Sequence, residues 1–139
     1  MIILDTNALS ALMRQKPDLA IASWLDRQPR ESMWTSSVTI MEIRFALGTM
    51  ARGRRRQTLV AAFERLIVEG IEHRVADFDQ SAAEHAATLM VARRSAGTPG
   101  DLRDTMIAGI ALARRAALAT RNVKHFDDAG LDLVNPWEA

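Results

Sequence analysis

The chain has 139 residues, 48% of them hydrophobic and 25% charged, which is an ordinary composition for one globular domain and excludes intrinsic disorder. Its formal net charge is +1 and it has no cysteine, so disulfides, zinc–thiolate sites and a cysteine nucleophile are excluded, while charge leaves a nucleic-acid partner open. No stretch approaches the roughly 18 apolar residues of a membrane span, and the start lacks a signal-peptide apolar run. We therefore expect a single cytoplasmic domain over residues 1–139 with no membrane association.

The first half of the chain alternates short apolar runs with amphipathic segments. Residues 1–4 are continuously apolar and stop at a polar triplet, which is typical of a buried strand in a parallel sheet. Thr6 or Asn7 is expected to cap a short helix that follows. The next predicted elements, in chain order, are a helix with Pro17 at its first position and Leu25 near its end, a strand at Met33–Thr35, a helix from Val38 to Leu47, a basic turn over Arg52–Arg56, and a helix from Leu59 to Val68.

The second half follows the same alternation. The predicted elements are a strand at Val75–Phe78, a helix capped by Asp79 and running to about Ser95, a loop at Ala96–Gly100, a helix opened by Asp101, a strand at Ala116–Thr120 and a last strand at Leu131–Val134. Short apolar strands that alternate with helices indicate an α/β domain whose central sheet is mainly parallel, with about four or five strands flanked by helices.

Several acidic and polar residues fall at the carboxyl ends of the predicted strands. Asp5 directly follows the first strand, and Asn122 follows the strand that ends at Thr120. Asp104 lies in the first turn of its helix, and Glu42 lies in the second turn of the helix after Met33–Thr35. Ligands of parallel sheets bind outside the carboxyl ends of the strands, so these side chains are candidates for a site.

Each acid also has an ordinary structural interpretation. Asp5 is at a position typical of a turn or helix cap, and Asp101 and Asp104 have the spacing of an N-cap and its partner three residues later. Glu42 lies at the edge of an apolar helix face and could reach solvent. Taken together, however, three carboxylates at one sheet edge would repel each other unless a cation lay between them. Oxygen ligands favour Mg²⁺ or Mn²⁺, and such ions commonly serve phosphodiester hydrolysis.

Four blocks of sequence resemble PIN-domain toxins of the VapC group, particularly FitB-like members. The blocks occur in the family order and span most of the chain: Ile-Leu-Asp-Thr-Asn at 3–7, Ser-Val-Thr-Ile-Met-Glu-Ile at 37–43, Asp-Thr-Met-Ile-Ala at 104–108, and the stretch from Ala-Thr-Arg-Asn at 119–122 to Val-Asn-Pro-Trp at 134–137. The resemblance implies a PIN-like three-layer fold and a Mg²⁺- or Mn²⁺-dependent endoribonuclease with one or two ions, which would activate the attacking water and leave a 5′-phosphate.

The family positions can be carried over residue by residue. Asp5, Glu42 and Asp104 match the three principal acids and are implied to be catalytic metal ligands. Asn7 matches a polar position that orients the first acid, and Thr120 matches a hydroxyl position beside the site. These two, with Arg121 and Asn122 at the end of the same strand, are the predicted substrate-binding residues.

The fourth acid of many family members is missing. Asn122 and His125 stand at the two positions where it occurs, so the choice between one and two metal ions stays open. The resemblance also implies a homodimer, a VapB-type antitoxin partner, an RNA substrate, and contact with operator DNA only through the antitoxin.

Other functions fit the sequence less well. A haloacid-dehalogenase type of phosphotransferase would require a second Asp where Asn7 stands, and a response-receiver domain would require paired acids. Neither class explains Glu42 together with Asp104. The alternative in another class is a catalytically weak PIN-fold binding module that acts mainly through an antitoxin-bound, DNA-binding regulatory complex.

Overall fold

Five short strands form the central sheet in the computed structural model, which describes all 139 residues. In chain order they are β1 (Ile2–Leu4), β2 (Met33–Ser36), β3 (Val75–Ala76), β4 (Ala117–Ala119) and β5 (Leu133–Val134). Every pairing is parallel, and the order across the sheet is β3-β2-β1-β4-β5. The predicted α/β class with a parallel sheet is confirmed.

Six α-helices flank the sheet. They are α1 (Thr6–Leu12), α2 (Leu19–Asp26), α3 (Ser37–Thr49), α4 (Arg54–Arg65), α5 (Gln80–Ala96) and α6 (Leu102–Arg114). A π-helical turn at Leu66–Gly70 continues α4, and short 3₁₀ turns lie at Arg30–Ser32 and Val123–His125. No helix is both long and apolar enough to cross a membrane.

The sheet separates two hydrophobic cores. Consecutive strand residues point to opposite faces, and in β1 the buried Ile3 belongs to one core while the buried Leu4 belongs to the other. One core contains Phe63 from α4, and the other contains Phe126 from the chain after β4. Both faces of the sheet are therefore covered, which explains the continuously apolar sequence of β1 and gives the three layers expected of the fold.

The register brings the carboxyl ends of the three middle strands to one edge. In β1, Ile2 pairs with Met33 of β2, and Leu4 pairs with Ala119 of β4. The Asp5 N–H extends this ladder by donating to the Ala119 carbonyl at 3.1 Å. The residues that follow β1, β2 and β4 are thereby neighbours in space.

Two local predictions about helix starts are wrong. Asp5, not Thr6 or Asn7, caps α1, because its carboxylate accepts a hydrogen bond from the Ala8 N–H while its own backbone is still extended. Asp18 caps α2 in the same way, so Pro17 precedes the helix instead of occupying its first position. The predicted caps Asp79 and Asp101 are confirmed, and Ser36 caps α3.

The predicted basic turn and two strand ends also differ from the structure. Arg54 to Arg56 form the first turn of helix α4, so only Arg52 and Gly53 of the predicted basic turn lie outside the helix. β3 ends at Ala76 and β5 begins at Leu133, two residues inside the predicted limits in each case.

Helices α5 and α6 approach closely at Gly109. A Cβ at this position would lie 2.5 Å from the Ala82 carbonyl oxygen and 2.9 Å from the Ala86 Cβ. Both distances are shorter than van der Waals contact, and the first is to backbone, which yields little. The absence of a side chain at Gly109 is therefore required for the packing that places α6 and its first-turn acid.

Gly109→Ala should lower the free energy of unfolding by about 1–3 kcal/mol, because the overpacking of the α5–α6 contact outweighs the better helix propensity of alanine. The matched control is Gly48→Ala in α3, where a Cβ meets nothing within 4 Å. The control should be neutral or stabilising by up to about 1 kcal/mol. Urea unfolding of the two variants measures the difference, and equal stabilities would contradict the close approach.

Candidate active site

Asp5 is the buried acid at the centre of the site. It directly follows β1, is 5% exposed, and accepts the Ala8 N–H through Oδ1 at 2.9 Å. Burial raises the pKa of Asp5 because the carboxylate loses its hydration, while hydrogen bonds from the Thr120 hydroxyl and the Ala8 N–H oppose this rise. The charges of Asp104 and Glu42 raise the pKa further. The three predicted acids therefore share one electrostatic environment.

Glu42 is held by a chain of hydroxyl groups. The Thr6 hydroxyl donates to Oε1 of Glu42 at 2.7 Å and lies 3.1 Å from the Thr39 hydroxyl. Since the single Thr6 hydrogen points to Glu42, the Thr39 hydroxyl donates to Thr6 and in turn accepts from the Ser36 hydroxyl at 3.3 Å. The relay runs from the end of β2 through α3 and α1, and it orients the Glu42 carboxylate.

Arg103 lies between two acids of the same edge. Its guanidinium nitrogens are 3.6 Å from Oε2 of Glu42 and 3.6 Å from Oδ2 of Asp101. The side chain is 54% exposed, so these are solvent-screened ion pairs and not a rigid clamp. The site thus has a solvent-exposed cationic group beside Glu42.

Asp104 lies in the first turn of α6 and is paired with His125. The Nδ1 atom of His125 is 3.0 Å from Oδ2 of Asp104. Asp101 caps α6 by accepting the N–H groups of Arg103 and Asp104, and these bonds lower the pKa of Asp101. Asp101 therefore has the predicted capping role, and Asp104 is the acid that faces the site.

The predicted substrate-binding residues do not all reach this environment. Thr120 is fully buried, hydrogen-bonds Asp5, and accepts the Asn122 N–H at 3.0 Å, so it joins the site directly. Asn122 is half-buried beside it, and Asn7 is exposed in the first turn of α1. Arg121 is exposed with its guanidinium 5.1 Å from the centre of the Trp137 ring, which directs it along the C-terminal segment instead of toward the acids.

Sequence reasoning missed the groups that hold the acids in place. Thr39 lies one helical turn before Glu42, so its spacing could have indicated a role, whereas Thr6 was considered only as a cap. No sequence signal marked Arg103. Nor did any sequence signal mark Arg93, which lies within α5 and is 3% exposed.

The donor chemistry of the site fits a divalent cation. Three carboxylates near one sheet edge offer hard oxygen ligands. The pKa of Asp5 is raised mainly by burial and further by the charges of Asp104 and Glu42, and a bound cation would favour the ionised form against both. In the arrangement described, however, no three His, Asp or Glu side chains are gathered closely enough to hold an ion together. Glu42 is turned toward Thr6 and Arg103, and Asp104 toward His125. Ligation of one ion by Asp5, Glu42 and Asp104 stays a prediction, and it requires the oxygens of these three carboxylates that face the site to move closer together.

The sequence and the fold of this chain are both similar to those of known proteins. Residues 2–130 match the family profile described as PIN domain. The chain belongs to the PIN-domain family. Asp5, Glu42 and Asp104 all lie within the residues that match.

Named relatives of this PIN domain cover nearly its whole length. The chain is 38% identical over 138 residues to the VapC ribonuclease Y4jK of Sinorhizobium fredii, with 99% of each protein covered. It is 28% identical over 137 residues to the toxin FitB of Neisseria gonorrhoeae, with 99% of each covered, and the crystal structure of FitAcB from that organism superposes with a TM-score of 0.89 over 100% of both chains. DNA-bound VapBC from Salmonella typhimurium superposes with a TM-score of 0.78 at 28% identity, with 97% of each chain covered. The resemblance to VapC-group and FitB-like proteins is confirmed.

Asp5→Asn should stabilise this PIN domain at neutral pH, raising Tm by roughly 2–6 °C. The pKa of Asp5 in the folded state lies above its ordinary 3.8, so the folded state holds the proton more tightly and stability falls as pH rises through that window. The amide removes the buried charge and keeps an oxygen for the Ala8 N–H. The gain should shrink as pH falls through the raised pKa, because the wild-type carboxyl then also becomes neutral.

Calorimetry in EDTA at neutral and acidic pH measures this effect. The control is Asp18→Asn, the same substitution at the exposed cap of α2, which should leave Tm within about 1 °C of the wild type at both pH values. A loss of stability in Asp5→Asn at neutral pH would show that burial of the charged carboxylate does not destabilise the folded state.

Proposed function

We propose that this PIN domain is a Mg²⁺- or Mn²⁺-dependent endoribonuclease and the toxin component of a VapBC-type toxin–antitoxin pair. The observation that carries the proposal is the buried Asp5 carboxylate at the carboxyl edge of the sheet, close enough to Glu42 and Asp104 that their charges act on it. The names VapC ribonuclease and toxin FitB among the relatives support the reaction and the biological role.

Asp5, Glu42 and Asp104 would hold the ion, with Asp5 as the preformed ligand because it is already fixed by Ala8 and Thr120. When bound, the ion would supply a Lewis acid for the scissile phosphate and activation of the attacking water. Glu42 would keep Oε1 on the Thr6 hydroxyl and turn Oε2 toward the ion, leaving the Arg103 guanidinium, whose ion pair is weak because solvent screens it. Asp104 would keep Oδ2 on His125 and offer its other oxygen, Oδ1, to the ion.

The remaining polar groups would serve the RNA. As Glu42 turns away, the Arg103 guanidinium is released and is suited to pair with a phosphate oxygen in place of the carboxylate. Thr120 and Asn122 keep the strand end in place through the hydrogen bond between the Asn122 N–H and the Thr120 hydroxyl. Arg121 is retained as a contact for flanking RNA only, since it lies over Trp137.

A regulatory binding module is the second candidate function. It is favoured by one specific observation, namely that Glu42 and Asp104 are already paired with Arg103 and His125, so that no ligand cluster is formed in advance. Under this alternative the chain would act mainly through an antitoxin-bound complex on DNA, as the name of the DNA-bound VapBC neighbour suggests for that protein.

Protein partners belong to both candidate functions. We propose a homodimer and a VapB-type antitoxin, with operator DNA contacted only through the antitoxin. Two features of the surface could receive these partners. One is a groove of about 850 Å³ between the end of α1 and α4, and the other is the pair of exposed side chains of Met41 and Phe45 on α3. An exposed apolar helix face is typical of an interface.

Cleavage of a mixed RNA pool by the purified, partner-free chain separates the two functions. With Mg²⁺ or Mn²⁺ the wild type should cut and leave 5′-phosphate ends, and excess EDTA should abolish cutting. Asp5→Asn, Glu42→Gln and Asp104→Asn should each reduce the rate by roughly 100-fold or more, because each removes a charged ligand.

Asp18→Asn serves as the matched control and should cut like the wild type. The absence of cutting by folded wild-type protein with either metal would reject the ribonuclease and favour the binding module. Cutting that resists EDTA, or that persists in all three variants, would reject the metal site.

A further inference from the structure

Arg93 is a buried arginine in which every guanidinium nitrogen donates at least one hydrogen bond. The side chain is 3% exposed within α5. Its Nε and Nη2 atoms donate to the two carboxylate oxygens of Asp128 at 3.0 and 2.9 Å, Nη1 donates to the Thr105 hydroxyl at 2.8 Å, and Nη2 also donates to the His125 carbonyl at 2.7 Å. The guanidinium thus connects α5, the start of α6 and the segment after β4.

Two of these partners are next to or in contact with Asp104. Thr105 follows Asp104 in α6, is 1% exposed, and donates its own hydroxyl to the Asp101 carbonyl at 2.9 Å. His125 places its ring on Asp104, and its backbone carbonyl is the group that Arg93 holds. Arg93 therefore binds both sides of the Asp104–His125 contact without touching Asp104.

The loop before α6 is shaped to cover this guanidinium. Gly100 has a φ of +70°, and a Cβ there would lie 3.0 Å from Nη1 of Arg93. The hydrogen bonds from Arg93 also lower the pKa of the half-exposed Asp128, so the ion pair holds over the neutral range. The hydrogen bonds and the ion pair of Arg93 are thus enclosed by the fold beside the site.

We propose that Arg93 is a positioning residue for the reaction: by holding the His125 carbonyl and Thr105, it keeps the His125 ring on Asp104 and so sets the orientation of that carboxylate. The proposal rests on the ribonuclease function proposed above.

The reason that His125 requires such support is its exposure. The His125 side chain is 57% exposed, and a hydrogen bond to a carboxylate at such a position competes directly with water. Fixing the backbone of His125 removes part of the entropy that the contact would otherwise cost. A carboxylate that is itself hydrogen-bonded presents a defined oxygen to a metal or a substrate.

A double-mutant cycle on kcat tests the proposal, with Arg93→Lys, His125→Ala and the double variant compared on one RNA. Arg93→Lys keeps the charge but cannot reproduce the planar fork. Each single variant should lower kcat by roughly 10- to 100-fold with little change in KM, and the double variant should be no slower than the slower single variant, because both act through Asp104. Asp128→Asn removes the charge that faces Arg93 but keeps an oxygen acceptor for it, so this variant should lower kcat by a smaller factor.

Arg94→Lys, the same substitution at the exposed neighbour in α5, should cut like the wild type.

Multiplicative losses in the double variant, or a full kcat in Arg93→Lys, would overturn the positioning role and leave Arg93 as a structural ion pair. An RNA-free readout covers the case in which the wild type does not cut. The ¹⁵N shifts of the His125 ring at pH 8 should show hydrogen on Nδ1 in the wild type and in Arg94→Lys, since an ionised carboxylate only accepts. They should show a mixture of tautomers in Arg93→Lys. Unchanged shifts in Arg93→Lys would contradict the proposal even if the ribonuclease function itself had failed.

Discussion

Burial of the Asp5 carboxylate at the end of the central strand is the constraint on which the candidate site depends. A charged group at 5% exposure loses most of its hydration, and the surrounding structure replaces only part of it. The Ala8 N–H at the start of α1 and the Thr120 hydroxyl at the end of β4 donate to the carboxylate. These two donors come from the elements adjacent to Asp5 in the chain and in the sheet, so the fold itself supplies them.

The other two acids are stabilised by separate means. A chain of hydroxyl groups and the Arg103 guanidinium serve Glu42, whereas His125 serves Asp104. None of these partners is shared with Asp5, whose pKa remains raised. The site therefore has a desolvated carboxylate at its buried end and the solvent-exposed side chains of Arg103 and His125 beside its other two acids. Such an arrangement is suited to accept a cation, which is the physical content of the proposed metal dependence.

The layer formed by α5 and α6 gives the site its rigidity. Gly109 allows the two helices to approach until backbone and side chain are in contact, and the buried Arg93 connects the same helices to the segment that carries His125. Close packing of this kind fixes α6 with little freedom to shift. Asp104 is half-buried and His125 is exposed, yet the segments that carry them are packed against α5.

Much of this architecture followed from local sequence patterns. The apolar run of β1 and its abrupt end at Asp5 predicted a buried parallel strand with an acid at its carboxyl edge, because a strand buried on both faces admits no polar residue. Helical spacing placed Glu42 and Asp104 in early turns of helices that start at the same edge. The family resemblance selected these three among the seventeen acidic residues and implied their role as ligands, which stays a prediction.

The tertiary structure decided how the charges at that edge are held. Arg93 reaches partners 32 and 35 residues away, Thr6 reaches Glu42 across 36 residues, and Arg121 turns to Trp137 instead of the acids. Periodicity reports only which face of an element a residue occupies, and it contains no information on which distant side chain meets it there. The sequence by itself therefore determined which residues arrive at the carboxyl edge of the sheet. Long-range packing determined which of them are buried, paired or free, because those properties depend on neighbours that only the folded chain brings together.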